Sequence, residues 1–162
     1  MAWEGARVYL FKIDHKSGYL HVPIHEDSRT FFGVFWKNKY SVFAVLPFGW
    51  KSSPLIYYTS TEAVAMYLRT MDIPMLDWID DMLGMTLQQF PRAPHGEQFQ
   101  AALTAMAVTS FALFKAGYFL SLAKCSLIPE QFMTYLGIDC KTVNNSTLME
   151  VNAGLKEMVY VD

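Results

Sequence analysis

The chain has 162 residues, enough for one modest domain with a core of ordinary size. Hydrophobic residues make up 52% and charged residues only 17%, against a usual charged share of about 25%, which excludes an intrinsically disordered segment and points to apolar surface that needs covering. With 13 Lys and Arg against 15 Asp and Glu the net charge is -2, so no global basic field draws the chain to nucleic acid.

Residues 7–24 read as a strand, Val8-Tyr9-Leu10-Phe11-Lys12-Ile13, ending at Asp14, then a turn at Lys16-Ser17-Gly18 and a second extended piece with Tyr19, Val22 and Ile24. Residues 31–36 and 40–45 are aromatic and β-branched and flank Lys37-Asn38-Lys39, the pattern of an antiparallel hairpin. Ser53 as N-cap and Pro54 at the first helical position start a helix that should run to about Thr70. Asp72-Ile73-Pro74 breaks it and leads into an acidic hairpin, Met75-Leu76-Asp77-Trp78-Ile79-Asp80-Asp81-Met82-Leu83, followed by a loop over residues 90–96.

A second helix starts at Glu97, with Phe99, Leu103, Met106, Ser110 and Leu113 on one stripe and Gly117 as its C-terminal cap. Residues 118–122 and 132–138 are the final strands, and residues 144–162 read as an irregular tail behind a unit formed by residues 1–143. This order predicts an α+β fold: an antiparallel sheet with helices packed on one face and the other face free for ligand. Cys125 and Cys140 lack metal-ligand spacing and read as small buried hydrophobes in a reducing, intracellular setting. No leader-like segment and no run of about 18 apolar residues is present, so a soluble or peripheral protein without a membrane partner is expected, in cytoplasm or nucleus alike.

Two adjacent carboxylates in a turn are by themselves most often a structural turn. Asp14 at a strand end supplies a third, and such a set suits two divalent ions about 4 Å apart, the arrangement that serves phosphoryl transfer. Magnesium takes hard oxygen ligands and needs only one or two carboxylates when phosphates supply the rest. His15, His21, His25 and His95 show no ligand spacing, and the methionines read as adaptable core filling.

At this point five segments in order resemble the palm of a reverse transcriptase. Asp14-His15-Lys16-Ser17-Gly18-Tyr19 resembles the family's first motif, Leu46-Pro47-Phe48-Gly49-Trp50-Lys51-Ser52-Ser53-Pro54 the second, and Trp78-Ile79-Asp80-Asp81 the third. Gly117-Tyr118-Phe119-Leu120-Ser121-Leu122-Ala123-Lys124-Cys125 and Tyr135-Leu136-Gly137 are similar to the fourth and fifth. The segment from Ala116 onward looks most like gypsy-like or tyrosine-recombinase retrotransposons.

The resemblance implies that Asp14 and Asp80 bind two Mg2+ ions, for which Mn2+ can substitute, with Asp81 assisting and the His15 carbonyl completing a shell. Tyr19 would crowd the sugar 2′ position and exclude ribonucleotides. Phe48 and Gly49 would back the incoming deoxynucleoside triphosphate, Lys51 would contact template phosphate, and Lys124 would neutralise or protonate the leaving pyrophosphate. The implied partners are an RNA or DNA template with its primer.

The chain departs from the family pattern in Trp78, where a Tyr or Phe is usual, in the 13 residues before Asp14, where the family has basic fingers, and in lacking a thumb or RNase H segment after the fifth motif. Two readings follow: a metal-dependent RNA-directed DNA polymerase domain or palm fragment, and a repurposed palm that binds without catalysis. A nucleotide cyclase is disfavoured because its Gly-Gly-Asp/Glu-Glu-Phe turn is absent.

Overall fold

Strand β1 (Leu10–Asp14) lies at the centre of the fold, and its residues show why. Leu10, Phe11 and Ile13 are fully buried, which an antiparallel strand reaches only when both of its faces are covered. In the computed structural model, which describes residues 8–86, 95–143 and 146–151, β1 pairs antiparallel with β5 (Asp81–Met85) on one side and β6 (Ser126–Glu130) on the other. The hairpin partner of β5 is β4 (Met75–Trp78), giving the order β4-β5-β1-β6.

The two helices cover one face. Helix α1 (Ser53–Arg69) buries Tyr57, Thr61, Ala65 and Leu68, spaced four, four and three residues apart on one stripe. Together with Phe11, Ile13, Met75 and Met82 from the sheet, and Leu113 of helix α2 (His95–Lys115), these residues build the main core. Close packing leaves no room at Gly84: a Cβ there would lie 2.1 Å from Phe11 Cζ, so the ring rests on bare backbone.

The opposite face is half covered. A three-stranded sheet of β7 (Phe132–Tyr135), β8 (Ile138–Val143) and β9 (Ser146–Val151), in that order, adds Met133, Tyr135 and Cys140 to Leu10 and Leu83 in a second cluster. The expectation of a wholly free ligand face therefore holds only for the end of β1 that carries Asp14. The expected irregular tail is also corrected in part: residues 146–151 form β9, because β8 has an edge that the segment pairs along from Val143↔Ser146 to Ile138↔Val151. Residues 152–162 lie outside the described residues.

Other differences are local. Residues 18–21 form a 3-10 turn (Gly18–His21) instead of continuing an extended piece, and pairing resumes only at the Pro23–Val45 bridge. Ser52 takes the N-cap position of α1 without a side-chain cap, while Ser53 Oγ donates to the Pro47 carbonyl at 2.7 Å. Helix α2 starts at His95, inside the expected loop; residues 90–94 of that loop, with residues 87–89 before it, lie outside the described residues.

Among the described residues of α2, Ala102, Thr109 and Leu113 are fully buried; the expected stripe holds at Leu113 and in part at Met106, which packs against the core, while Ala102 and Thr109 are buried in place of Leu103 and Ser110. Ala102 is small and the Thr109 hydroxyl is satisfied by the Ala105 carbonyl, so both can be buried without leaving a polar group unpaired. Tyr118 N–H to the Leu113 carbonyl and Gly117 N–H to the Phe114 carbonyl close α2 in a Schellman motif at the expected Gly117. The hairpin of β2 (Gly33–Trp36) and β3 (Lys39–Val42) turns through Lys37 and Asn38, both at positive φ, and every residue of both strands is exposed. Among the described residues no helix is long and apolar enough to cross a membrane.

Candidate active site

Strand register builds the site. Leu10, Lys12 and Asp14 alternate onto the face of β1 away from the helices, and antiparallel pairing sets Asp14 directly opposite Asp81. Trp78 pairs with Asp81, leaving Ile79 and Asp80 as the two central turn residues. Ile79 has φ 57 and Asp80 is not among the positive-φ residues, the pattern of a type II′ turn. A β-branched residue in that conformation is strained, and such strain persists only where the surroundings hold it. Here the His15 N–H donates to the Asp80 carbonyl at 2.9 Å, fastening the turn to the end of β1.

The three carboxylates are thus gathered by backbone pairing, and their charges are only partly answered. Asp14 is 5% exposed; its Oδ2 lies 3.5 Å from Lys124 Nζ, while its Oδ1 is buried without a hydrogen-bond partner. Asp81 Oδ1 is likewise buried without a hydrogen bond, although Lys12 Nζ stands 3.2 Å away as an ion-pair partner. Burial, and then the charges of Asp81 and Asp14, push the Asp80 carboxyl above the usual carboxylate range.

Backbone contacts secure Asp14 from behind. Its N–H donates to Cys125 Sγ at 3.3 Å and its carbonyl accepts from Ser121 N–H at 2.8 Å. Burial raises the Cys125 thiol pKa, so it stays a neutral packing group.

A divalent cation fits this donor set, since it would meet the orphaned oxygens and relieve the crowding of like charge. Among the described residues, however, no group of three or more His, Cys, Asp or Glu side chains is arranged to hold a metal by itself. The corner offers hard oxygens and leaves further ligands to come from elsewhere.

Beside the carboxylates lies an aromatic shelf. The Tyr19 ring packs 5.0 Å from Phe48 and 5.5 Å, edge-on, from Tyr57. Phe48 is 73% exposed, Gly49 is exposed at φ +87, and Lys51 is exposed in the turn before α1. The structure therefore brings Asp14, Asp80, Asp81 and Lys124 together and sets Tyr19 with Phe48. The His15 side chain, to which the sequence assigns no role, is buried, with Nδ1 2.6 Å from Tyr57 Oη and the ring stacked on Tyr118, which leaves its backbone as the part that can border the site. Burial lowers its pKa to about 4, with help from His21, and the ring is neutral.

Lys12, Tyr57, Tyr118, Ser121 and Cys125 are site neighbours that sequence reasoning passed over. Strand alternation carried a signal for Lys12, two residues before Asp14 on the same face. Tyr118, Ser121 and Cys125 lie within the segment similar to the fourth motif, but their roles beside Asp14 and His15, like that of Tyr57, depend on contacts 42 to 111 residues apart in the chain.

Comparison with known proteins agrees with this geometry. The model of the family "Reverse transcriptase (RNA-dependent DNA polymerase)" matches residues 3–140. Over 84 residues the chain is 34% identical to the Gag-Pol polyprotein of bovine immunodeficiency virus (strain R29), an alignment covering 46% of this chain and 6% of that polyprotein. Two solved structures of a foamy viral protease-reverse transcriptase share the fold. One, in complex with an RNA/DNA hybrid, has a TM-score of 0.67 at 24% identity and covers 93% of this chain and 18% of the other. The second, in complex with double-stranded DNA, has a TM-score of 0.71 at 21% identity, covering 95% and 24%. The chain spans a small part of the length of each relative, and within that span its motifs, its sheet and its family match agree: it belongs to the reverse transcriptase family.

Proposed function

We propose that this chain carries the catalytic centre for template-directed, metal-dependent DNA synthesis from deoxynucleoside triphosphates. The observation that supports this best is the pairing of Asp14 with Asp81 beside a pinned Asp80, with Asp14 Oδ1 buried and unpartnered and Asp81 Oδ1 buried without a hydrogen bond. Asp14 and Asp80 would hold two Mg2+ ions, or Mn2+, with Asp81 assisting. When bound, such ions neutralise triphosphate charge and activate a primer 3′-hydroxyl.

The chain's own side chains do the remaining work. Lys12 holds Asp81 in place, and Lys124, exposed and close to Asp14, can turn to a leaving pyrophosphate. Tyr19, braced by Phe48, excludes a sugar that bears a 2′-hydroxyl. The exposed Phe48 and Gly49 back the incoming nucleotide, the His15 backbone borders the metals, and Lys51 meets template phosphate. The partners are a primed RNA or DNA template, consistent with the hybrid and duplex bound in the structural neighbours. Affinity for that duplex will be low, because a net charge of -2 releases few counterions. The retrotransposon assignment rests on the segment from Ala116 onward, whereas the curated relative is retroviral.

A second reading, a palm that binds without catalysis, is favoured by one observation: two of the carboxylates already face lysines, Asp81 with Lys12 and Asp14 with Lys124. Primer extension on an RNA template with Mn2+ separates the two. The parent should extend, and Asp80→Asn should slow extension about a hundredfold to a thousandfold, the scale of losing one electrostatic stabiliser of the transition state. Equal extension by both proteins would overturn the assignment of Asp80. Duplex binding without extension by the parent would favour the second reading.

A further inference from the structure

Tyr57 enters no motif, yet the segment that joins the carboxylates to Tyr19 is folded around it. It projects from α1 into the core and is fully buried, so its ring is fixed by packing on all sides. Three residues of segment 15–19 meet it, two at its hydroxyl end and one at its ring. His15 Nδ1 lies 2.6 Å from the hydroxyl oxygen, either atom donating according to which ring nitrogen holds the proton. Gly18 passes so close that a Cβ would stand 2.6 Å from Tyr57 Cζ and 2.7 Å from the hydroxyl. Tyr19 then sets its own ring edge-on at 5.5 Å.

His15 is held from its other side by the stacked ring of Tyr118, whose hydroxyl bonds Ser60 on the same helix as Tyr57. The His15 backbone, in turn, pins the Asp80 carbonyl. One buried phenol thereby links the carboxylate turn at one end of the segment with the Tyr19 ring at the other.

We infer that Tyr57 is a positioning residue that sets the distance between the carboxylate corner and Tyr19, and so sets how strictly the site excludes a 2′-hydroxyl. This rests on the roles proposed above for Asp14 and Tyr19. Removing the hydroxyl leaves a buried imidazole nitrogen unpaired and opens space beside Gly18, which lets residues 15–19 relax and Tyr19 swing. The effect differs from general destabilisation because it acts on the choice of sugar.

The test uses Tyr57→Phe, which keeps the ring, and His15→Leu, which removes the partner. Two readouts apply: deoxynucleotide against ribonucleotide incorporation in Mn2+-supported primer extension, and the fluorine resonance of Tyr19 in 3-fluorotyrosine-labelled protein, assigned with Tyr19→Phe. Discrimination should fall about fivefold to tenfold in Tyr57→Phe, the loss expected for one buried hydrogen bond, through a lower KM for the ribonucleotide while deoxynucleotide kcat changes less than about twofold. The Tyr19 resonance should move in the same direction in both variants. Unchanged discrimination, or a Tyr19 resonance that stays in place in both, overturns the inference. If the parent synthesises nothing, the proposed function falls, and the resonance still decides whether Tyr57 positions Tyr19.

Discussion

The carboxylate corner and the β2–β3 hairpin draw on similar aromatic and β-branched segments, yet they reach opposite environments. At the corner, β1 runs between two helices on one face and, for half its length, a second sheet on the other, so three fully buried side chains hold the strand from which Asp14 projects. The hairpin has a good turn and full pairing, but every residue of its two strands is exposed: Tyr40 is 87% exposed and Trp36 73%. It is tied down at its base by Ile24 N–H to the Ala44 carbonyl, Leu46 N–H to the Val22 carbonyl and an edge-on contact of Phe32 with Trp50. Local sequence rules suffice to make a hairpin. Whether it joins a core depends on what else the fold brings against it.

This contrast can be broken by substitution, and the largest effect should come from the centre. Phe11→Ala removes the ring that rests on Gly84 and should cost about 3–5 kcal/mol of stability in denaturant titration. A loss no greater than that of a hairpin variant would mean that β1 is not the centre of the core.

Asp77 should show the next effect, on the helix side of the same sheet. Its carboxyl accepts from Thr61 Oγ1 at 2.7 Å, but burial dominates and lifts its pKa from 3.8 to about 6. The folded state therefore binds an extra proton between about pH 4 and pH 6. The stabilising contribution is full below about pH 4 and is lost as pH rises through about 6, at most about 3 kcal/mol and nearer 2 for a partly exposed group. Asp77→Asn should flatten that slope and leave the protein more stable at neutral pH. A parent whose stability does not fall between pH 4 and 7 would show that Asp77 is well solvated.

Asp80→Asn should do something rarer in a small domain and raise the melting temperature slightly while removing activity, because the wild-type charge is crowded by burial and by its two neighbours. A lowered melting point would mean that the carboxylate stabilises the turn it occupies. The smallest effect belongs to the hairpin. Phe35→Lys and Trp36→Lys should change stability by less than about 0.5 kcal/mol and increase solubility, and a large loss would reveal a partner surface that covers the hairpin in solution.

Much of this architecture can be read from local signals. The two helices, the Lys37-Asn38 turn, the acidic turn and Gly117 follow from periodicity, Pro54 and turn chemistry. The register that opposes Asp14 and Asp81 also follows once β1 and β5 are paired, since a one-residue slip would exchange core and site residues. Where the reading fell short, distant contacts decided the outcome. β9 forms because β8 offers an edge, Ala102 and Thr109 rather than Leu103 and Ser110 are fully buried on α2, and the His15 side chain, given no role from sequence, is received by Tyr57 and Tyr118. None of these is visible in a window of a few residues.

The central claim is that Asp14 and the Asp80-Asp81 turn form one divalent-metal site that is completed by nucleotide phosphate. Electron paramagnetic resonance of Mn2+, titrated into the protein in the presence of a deoxynucleoside triphosphate, measures this directly. Protein-dependent loss of the free Mn2+ signal is expected for the parent and should be absent for Asp14→Asn and Asp80→Asn; equal binding by all three proteins would contradict the account.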